Sequence, residues 1–231
     1  MKIQFIGATE TVTGSKYLLI VGSHNILIDC GMFQGLKNAR KKNWQALPID
    51  PSKIDAVLLT HAHVDHSGYL PALMKQGFTG PIYCSHATRA LCRVLLPDAG
   101  YLQEEDARYA NKGKFSRHQP AEPLYTEQDA IKVLKQLKVL RSNESHQIFS
   151  DCQVNFRPAG HILGASSIRI ASEGKTITFS GDVGRPDDLL MYPPESIKNT
   201  DYLVVESTYG DRKHPQVNAF IEMRDIIKRT V

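Results

Sequence analysis

Leu58 to Gly68 reads LLTHAHVDHSG: three histidines and an aspartate within six positions, His61 to His66, directly behind an apolar run. The chain has 9 histidines in 231 residues, so a third of them fall in this one stretch. In an extended segment side chains alternate between faces, so His61 and His63 project to one side and Asp65 can follow the same line. Two imidazoles placed in that way can share one metal ion. His66, adjacent to Asp65, turns elsewhere, so HAHVDH supplies ligands to two neighbouring sites rather than four to one tetrahedron. Imidazole nitrogen suits zinc at about 2.0–2.1 Å, and a catalytic zinc keeps a position open for water. Two such ions roughly 3.5–4 Å apart generate hydroxide at neutral pH and stabilise both attacking and leaving oxygens. The competing reading, a histidine-rich surface turn, explains neither the apolar run before the cluster nor the partners found further along.

Those partners sit at strand ends. His161, in PAGHILGASS, follows the extended run VNFR in a glycine-flanked turn, where backbone can fold close to a metal. Asp182, in TFSGDVG, ends a buried run, and its two oxygens can bridge two ions. Asp29, in NILIDCG, also ends an apolar run; an acid there more often caps a turn than binds metal. Its better role is to accept the free N–H of a ligand histidine and so fix the tautomer. His24, His86, His118, His146 and His214 read as solvated or capping, with His118 and His214 the best placed to meet an anion. Cys30, Cys84, Cys92 and Cys152 form no C-x-x-C pair and no disulfide framework, and are expected to be reduced, buried and inert.

Along the chain, KIQFIG, KYLLIVG, HNILIDCG and IDAVLLT predict four strands, followed by a helix over HSGYLPALMKQG and a strand at GPIYCS. Residues 87–111 and 126–140 predict helices, the second with Thr126 as N-cap. Strands resume in QVNFRPAG, ASSIRIAS, KTITFSGD and TDYLVVEST, and NAFIEMRDIIKRTV begins another helix. No apolar run approaches the roughly 20 residues that cross a bilayer, and the N-terminus lacks a signal-peptide pattern, so a cytoplasmic protein without a membrane partner is expected. A net charge of +4 and a pI near 8.8 permit a polyanionic partner without demanding one.

Taken together, THAHVDH, GHILGA, FSGDVG and LIDCG resemble the metallo-β-lactamase superfamily across nearly the whole chain. VVESTYGDRKH, Val204 to His214, is similar to the first motif of its β-CASP branch of nucleic-acid-processing enzymes, and GATETVTGS and GMFQG resemble bacterial and archaeal members of that branch. The resemblance implies an α/β fold, the four-layered αββα sandwich. Residues 1–208 would form the major part of that domain and 209–231 the start of a linker into a β-CASP segment. The sequence stops before that insertion, so the sandwich is expected to be incomplete on its C-terminal side.

The resemblance further implies two zinc ions, with His61, His63 and His161 on one, Asp65 and His66 on the other, and Asp182 bridging. A further histidine ligand of the family has no counterpart, so the second site is expected to be incomplete. Glu206 matches the acid that protonates the leaving oxygen together with a histidine of the inserted domain, and Asp65 would orient the hydroxide. The function so implied is zinc-dependent hydrolysis of RNA phosphodiester bonds, on single-stranded RNA, through a metal-activated hydroxide at a dinuclear site. Two alternatives stay open: hydrolysis of a small thioester or lactam, and a non-catalytic RNA-binding subunit of the same fold. Hydrolysis by these 231 residues alone is expected to be weak, and uncovered apolar surface is expected to favour a homodimer.

Overall fold

The computed structural model describes residues 1–116, 118–213 and 218–231. Strands β1 (Lys2–Phe5), β2 (Tyr17–Val21), β3 (His24–Ile28), β4 (Ala56–Leu58), β5 (Ile82–Cys84) and β6 (Leu137–Val139) form one sheet in that order. The first three pair antiparallel, and β3 to β6 run parallel. A second sheet has the order β11 (Tyr202–Val204), β10 (Lys175–Phe179), β9 (Ser166–Ser172), β8 (Cys152–Pro158), β7 (Ser145–Phe149), antiparallel except for β10 with β11.

Strands β3 and β4 carry unbroken apolar runs because both of their faces are covered. Ile26, Ile28 and Leu58 join Val154, Phe156, Ile168, Ile170 and Phe179 in a core between the sheets. Leu27, Val57 and Leu59 face the other way and meet Leu70, Leu73, Cys92, Leu96 and Val133 of the helices. These helices are α2 (Val64–Ser67), α3 (Leu70–Lys75), α4 (His86–Gly113) and α5 (Glu127–Val133); a short α1 (Lys37–Lys41) lies between β3 and β4. Ser85 caps α4, its Oγ accepting from Thr88 N at 3.1 Å. Thr126 caps α5 through a reciprocal box with Asp129, as its sequence predicts. The α/β class and the two-sheet sandwich therefore stand. Helices, first sheet and second sheet are the packed layers among the described residues. The last helix, α6 (Ala219–Thr230), follows its Asn218 cap and buries no described side chain.

Three expectations change. The helix predicted over 126–140 ends at Val133, and Leu137–Val139 instead pairs with the open edge of β5. The helix predicted over 66–77 is two helices, of which the first begins at Val64. Pro71, second residue of α3, helps to restart the chain there, because proline suits a first helical turn and not an interior. Asp65 is consequently helical rather than in line with an extended His61 and His63. Strand β7, whose SHQIF is mostly polar, had no sequence signal; it forms against β8. Among the described residues no helix is long and apolar enough to cross a membrane.

Candidate metal centre

Every strand that contributes to the site does so at its C-terminal end. Asp29 follows β3, Thr60 to His63 follow β4, His161 follows β8, Asp182 follows β10 and Glu206 follows β11. Backbone hydrogen bonds fasten these ends together. Asp29 N donates to Leu58 O at 2.9 Å, Cys30 N to His66 O at 2.7 Å and Met32 N to Val64 O at 2.9 Å, and Ser166 N crosses to Thr60 O at 3.0 Å. Two glycines are required by this closeness. A Cβ at Gly31 would lie 1.5 Å from the Asp65 carbonyl oxygen. Gly181 has φ +57°, and a Cβ there would lie 2.9 Å from that of Thr60.

His63 Nδ1 stands 3.1 Å from His61 Nε2 and 3.1 Å from His161 Nε2. Asp182 Oδ2 is 3.7 Å from the first of those Nε2 atoms and 3.5 Å from the second. One donor atom from each of these four residues lies within 4.8 Å of all the others, a group able to hold one metal ion. Asp182 also faces the other way, with Oδ1 3.2 Å from His66 Nε2. His66 Nε2 is in turn 3.8 Å from Asp65 Oδ2. Asp182 thus lies between His61 and His161 on one side and His66 on the other, with Asp65 beside His66.

Burial sorts their charges. Burial first, then the charge of His66, pushes His61 well below its ordinary value. His63 is lowered too, by burial and then by His161. Both imidazoles therefore offer lone pairs at neutral pH. Burial acts on His66 in the same sense, but the Asp29 charge and the hydrogen bonds that Asp182 and Asp29 accept from it outweigh burial and lift His66 to about 10. With both nitrogens protonated, Nδ1–H donates to Asp29 Oδ2 at 2.7 Å and Nε2–H faces Asp182. Burial alone would raise Asp182; the hydrogen bond and charge of His66, then His61 and His161, hold it below the usual carboxylate range. A cation between these groups would replace the Nε2 proton of His66 and leave the Asp29 bond in place.

Asp29 is 1% exposed and sits at φ 56°, a left-handed conformation that aspartate tolerates better than most residues. Its Oδ1 accepts from Thr60 N at 2.8 Å and Thr60 Oγ1 at 2.9 Å, and its Oδ2 from Ser15 Oγ at 3.3 Å. Thr60 was missed from the sequence. Its Oγ1 also lies 3.1 Å from His61 Nδ1, and the available signal was a hydroxyl ending the apolar run AVLLT. A cleft of about 320 Å³ opens on the His66 side, bordered by Glu10, Tyr17, Asp182 and Glu206 among others. Glu206 Oε1 accepts from Val183 N at 2.8 Å.

The remaining candidates lie elsewhere. His24 stacks on Phe149 at 3.9 Å, His86 opens α4, His146 Nε2 lies 2.9 Å from Arg141 O, and His118 does not border the cleft. His214 lies outside the described residues. The four cysteines are free and buried, and burial pushes the Cys30 and Cys84 thiols up to about 12, which leaves them inert.

Two sheets delivering histidines and aspartates to one edge define a class, and the sequence places the chain in it: a family model of the metallo-beta-lactamase superfamily matches residues 11–225, so the chain belongs to that superfamily. Among curated relatives it is 35% identical over 232 residues to Ribonuclease TTHA0252 of Thermus thermophilus, covering 100% of this chain and 49% of that protein. It is 32% identical over 217 residues to Endoribonuclease ysh1 of Aspergillus fumigatus, covering 91% of this chain and 23% of that one. Cleavage and polyadenylation specificity factor 73 of Drosophila melanogaster is 32% identical over 222 residues, 93% of this chain and 29% of the other. The chain therefore spans about half the length of the first of these relatives and less of the others.

Proposed function

We propose that this chain is the metal-holding part of a zinc-dependent ribonuclease of the β-CASP kind, hydrolysing phosphodiester bonds of single-stranded RNA. The observation that carries the reading is the convergence of His61, His63, His161 and Asp182 within 4.8 Å, in a chain whose relatives include proteins named as ribonucleases. The donors suit zinc. A tetrahedral ion at about 2.0–2.1 Å from each nitrogen sets neighbouring nitrogens roughly 3.4 Å apart, against the 3.1 Å found here. His66 and Asp65 would hold a second ion with Asp182 between the two. When bound, such ions supply hydroxide at neutral pH and neutralise charge that builds on the phosphate.

The chain's own residues do the rest. Asp29 and Thr60 fix the rings of His66 and His61, so that the nitrogens left for a metal ion are set before substrate arrives. Asp65 would orient the attacking hydroxide towards phosphorus. Glu206 borders the same cleft, bonded to Val183 N next to Asp182, and we assign it the proton given to the leaving oxygen. Residues 1–208 form the catalytic body in this reading, and 209–231 the connection out of it.

A labelled single-stranded RNA incubated with the chain and zinc tests the proposal. Slow cleavage is expected, abolished by chelator and by Asp182→Asn. Intact RNA alongside hydrolysis of a thioester or a lactam would move the chain to the small-molecule branch, and RNA binding without any hydrolysis would make it a non-catalytic subunit.

A further inference from the structure

Gln34 to Ile49 contains no aspartate or glutamate, yet Lys37, Arg40, Lys41 and Lys42 place four cations within six positions. The whole chain has a net charge of +4, so this one turn carries the entire excess and all other residues sum to neutrality. All four side chains are exposed. Among the described residues Lys37, Arg40 and Lys41 have no acidic partner, and Lys42 lies 5.1 Å from the Phe33 ring centroid. Clustered like charges repel one another unless an outside anion joins them.

The turn is held firmly. Buried Asn43 accepts from Phe33 N at 2.8 Å and donates to Phe33 O at 2.8 Å. Gln34 N donates to Thr13 Oγ1 at 3.0 Å, which ties the base of the turn to the loop whose Glu10, Thr11 and Val12 border the cleft. Met32, bonded to Val64 O beside Asp65, is five residues before Lys37. At no more than about 3.6 Å per residue, the cations begin within roughly 18 Å of Met32 and its bond to α2. Trp44 follows them directly and is 62% exposed.

We propose that Lys37, Arg40, Lys41 and Trp44 form a docking surface for single-stranded RNA beside the metal cleft, the cations meeting backbone phosphates and the indole stacking on a base. The proposal rests on reading the cleft as a phosphodiesterase site. Cations that follow a backbone, combined with an aromatic platform, are the sequence-independent way to hold a single strand. A duplex hides the base faces that Trp44 would stack on. An anionic lipid surface would satisfy the charges but gives no reason for the turn to be bonded to the rim of the cleft.

Trp44 is the only tryptophan of the chain, so its emission reports on this surface alone. In chelator, where nothing is cleaved, a short oligouridylate is expected to quench it. The triple variant Lys37→Gln/Arg40→Gln/Lys41→Gln should weaken binding about tenfold at low salt. It should also reduce the slope of log K against log salt by about 2, at roughly 0.7 per phosphate contact. Lys132→Gln/Lys135→Gln/Lys138→Gln removes as much charge from α5, β6 and the turn between them and should change affinity less than about threefold. Unchanged melting and zinc content in the first triple would show that fold and metal centre are intact.

RNA binding that leaves Trp44 emission unperturbed overturns the proposal, as do equal losses in the two triples, or tighter binding to phosphatidylserine vesicles than to RNA. Binding is read without metal, so a cleft that fails to cleave RNA would leave this result standing, and a patch that fails to bind would leave cleavage to be judged separately.

Discussion

Asp29 shows how one buried side chain decides what its neighbours can do. Its oxygens accept from Thr60 twice and from Ser15, and face His66 Nδ1 at 2.7 Å. Replacing it with alanine frees the His66 ring and leaves the Thr60 backbone N–H without its acceptor. Zinc affinity, measured by competition with a chromogenic chelator, should therefore fall by roughly 10–100-fold; an unchanged affinity would reduce Asp29 to a turn cap. Lys16 makes the opposite point, since nothing in KYLLIVG marks it as buried. It is 2% exposed, donates to the Gly31 carbonyl, and lies 4.7 Å from each of the Phe33 and Tyr69 ring centroids. Burial pulls its ammonium from 10.5 to about 8, against an opposing influence of Cys30. The unfolded chain binds more protons than the folded one between those two values, so the cost of the buried charge is full below about pH 8 and fades as pH rises towards 10.5. Lys16→Met removes that cost. The stability of the variant relative to the parent, from urea titrations, should drop by about 2 kcal/mol between about pH 7 and 9.5. A difference independent of pH would mean that Lys16 stays charged by reaching solvent.

At the scale of elements, local signals were legible where they are self-contained. Thr126-Glu-Gln-Asp announces a helix start, and both halves of its box form. Thr126→Ala should cost about 1 kcal/mol in urea unfolding with the m-value unchanged. A cost near zero would mean that packing of Ala130 and Val133 alone holds α5. The same sequence stretch also misleads, because LKQLKVL has helical spacing while Ile82 to Cys84 leaves an unfilled parallel edge that Leu137 to Val139 occupies. Sheet pairing overrides propensity there, and no window of local sequence contains the other strand. His61 and His63 were legible for the opposite reason. They lie two positions apart in extended chain, and a period of two needs no tertiary knowledge. Asp65 was misplaced because the helix begins one residue before it.

The whole molecule supplies what neither scale contains. His61 and Asp182 are 121 positions apart, yet their side chains stand 3.7 Å from each other because the C-terminal ends of β4 and β10 meet along one edge of the sandwich. Composition and spacing could nominate both residues. Only two packed sheets in this register can join them, which is why the resemblance to a known family carried the ligand set further than the residues alone. Whether this edge holds zinc is measured directly by anomalous scattering from zinc-soaked crystals. The difference between data collected above and below the zinc edge should show a peak bounded by His61, His63, His161 and Asp182, and a weaker one between Asp182, His66 and Asp65, the first of them reduced in His63→Ala. Zinc bound elsewhere, or a first peak that persists undiminished in His63→Ala, would contradict a zinc site at this edge.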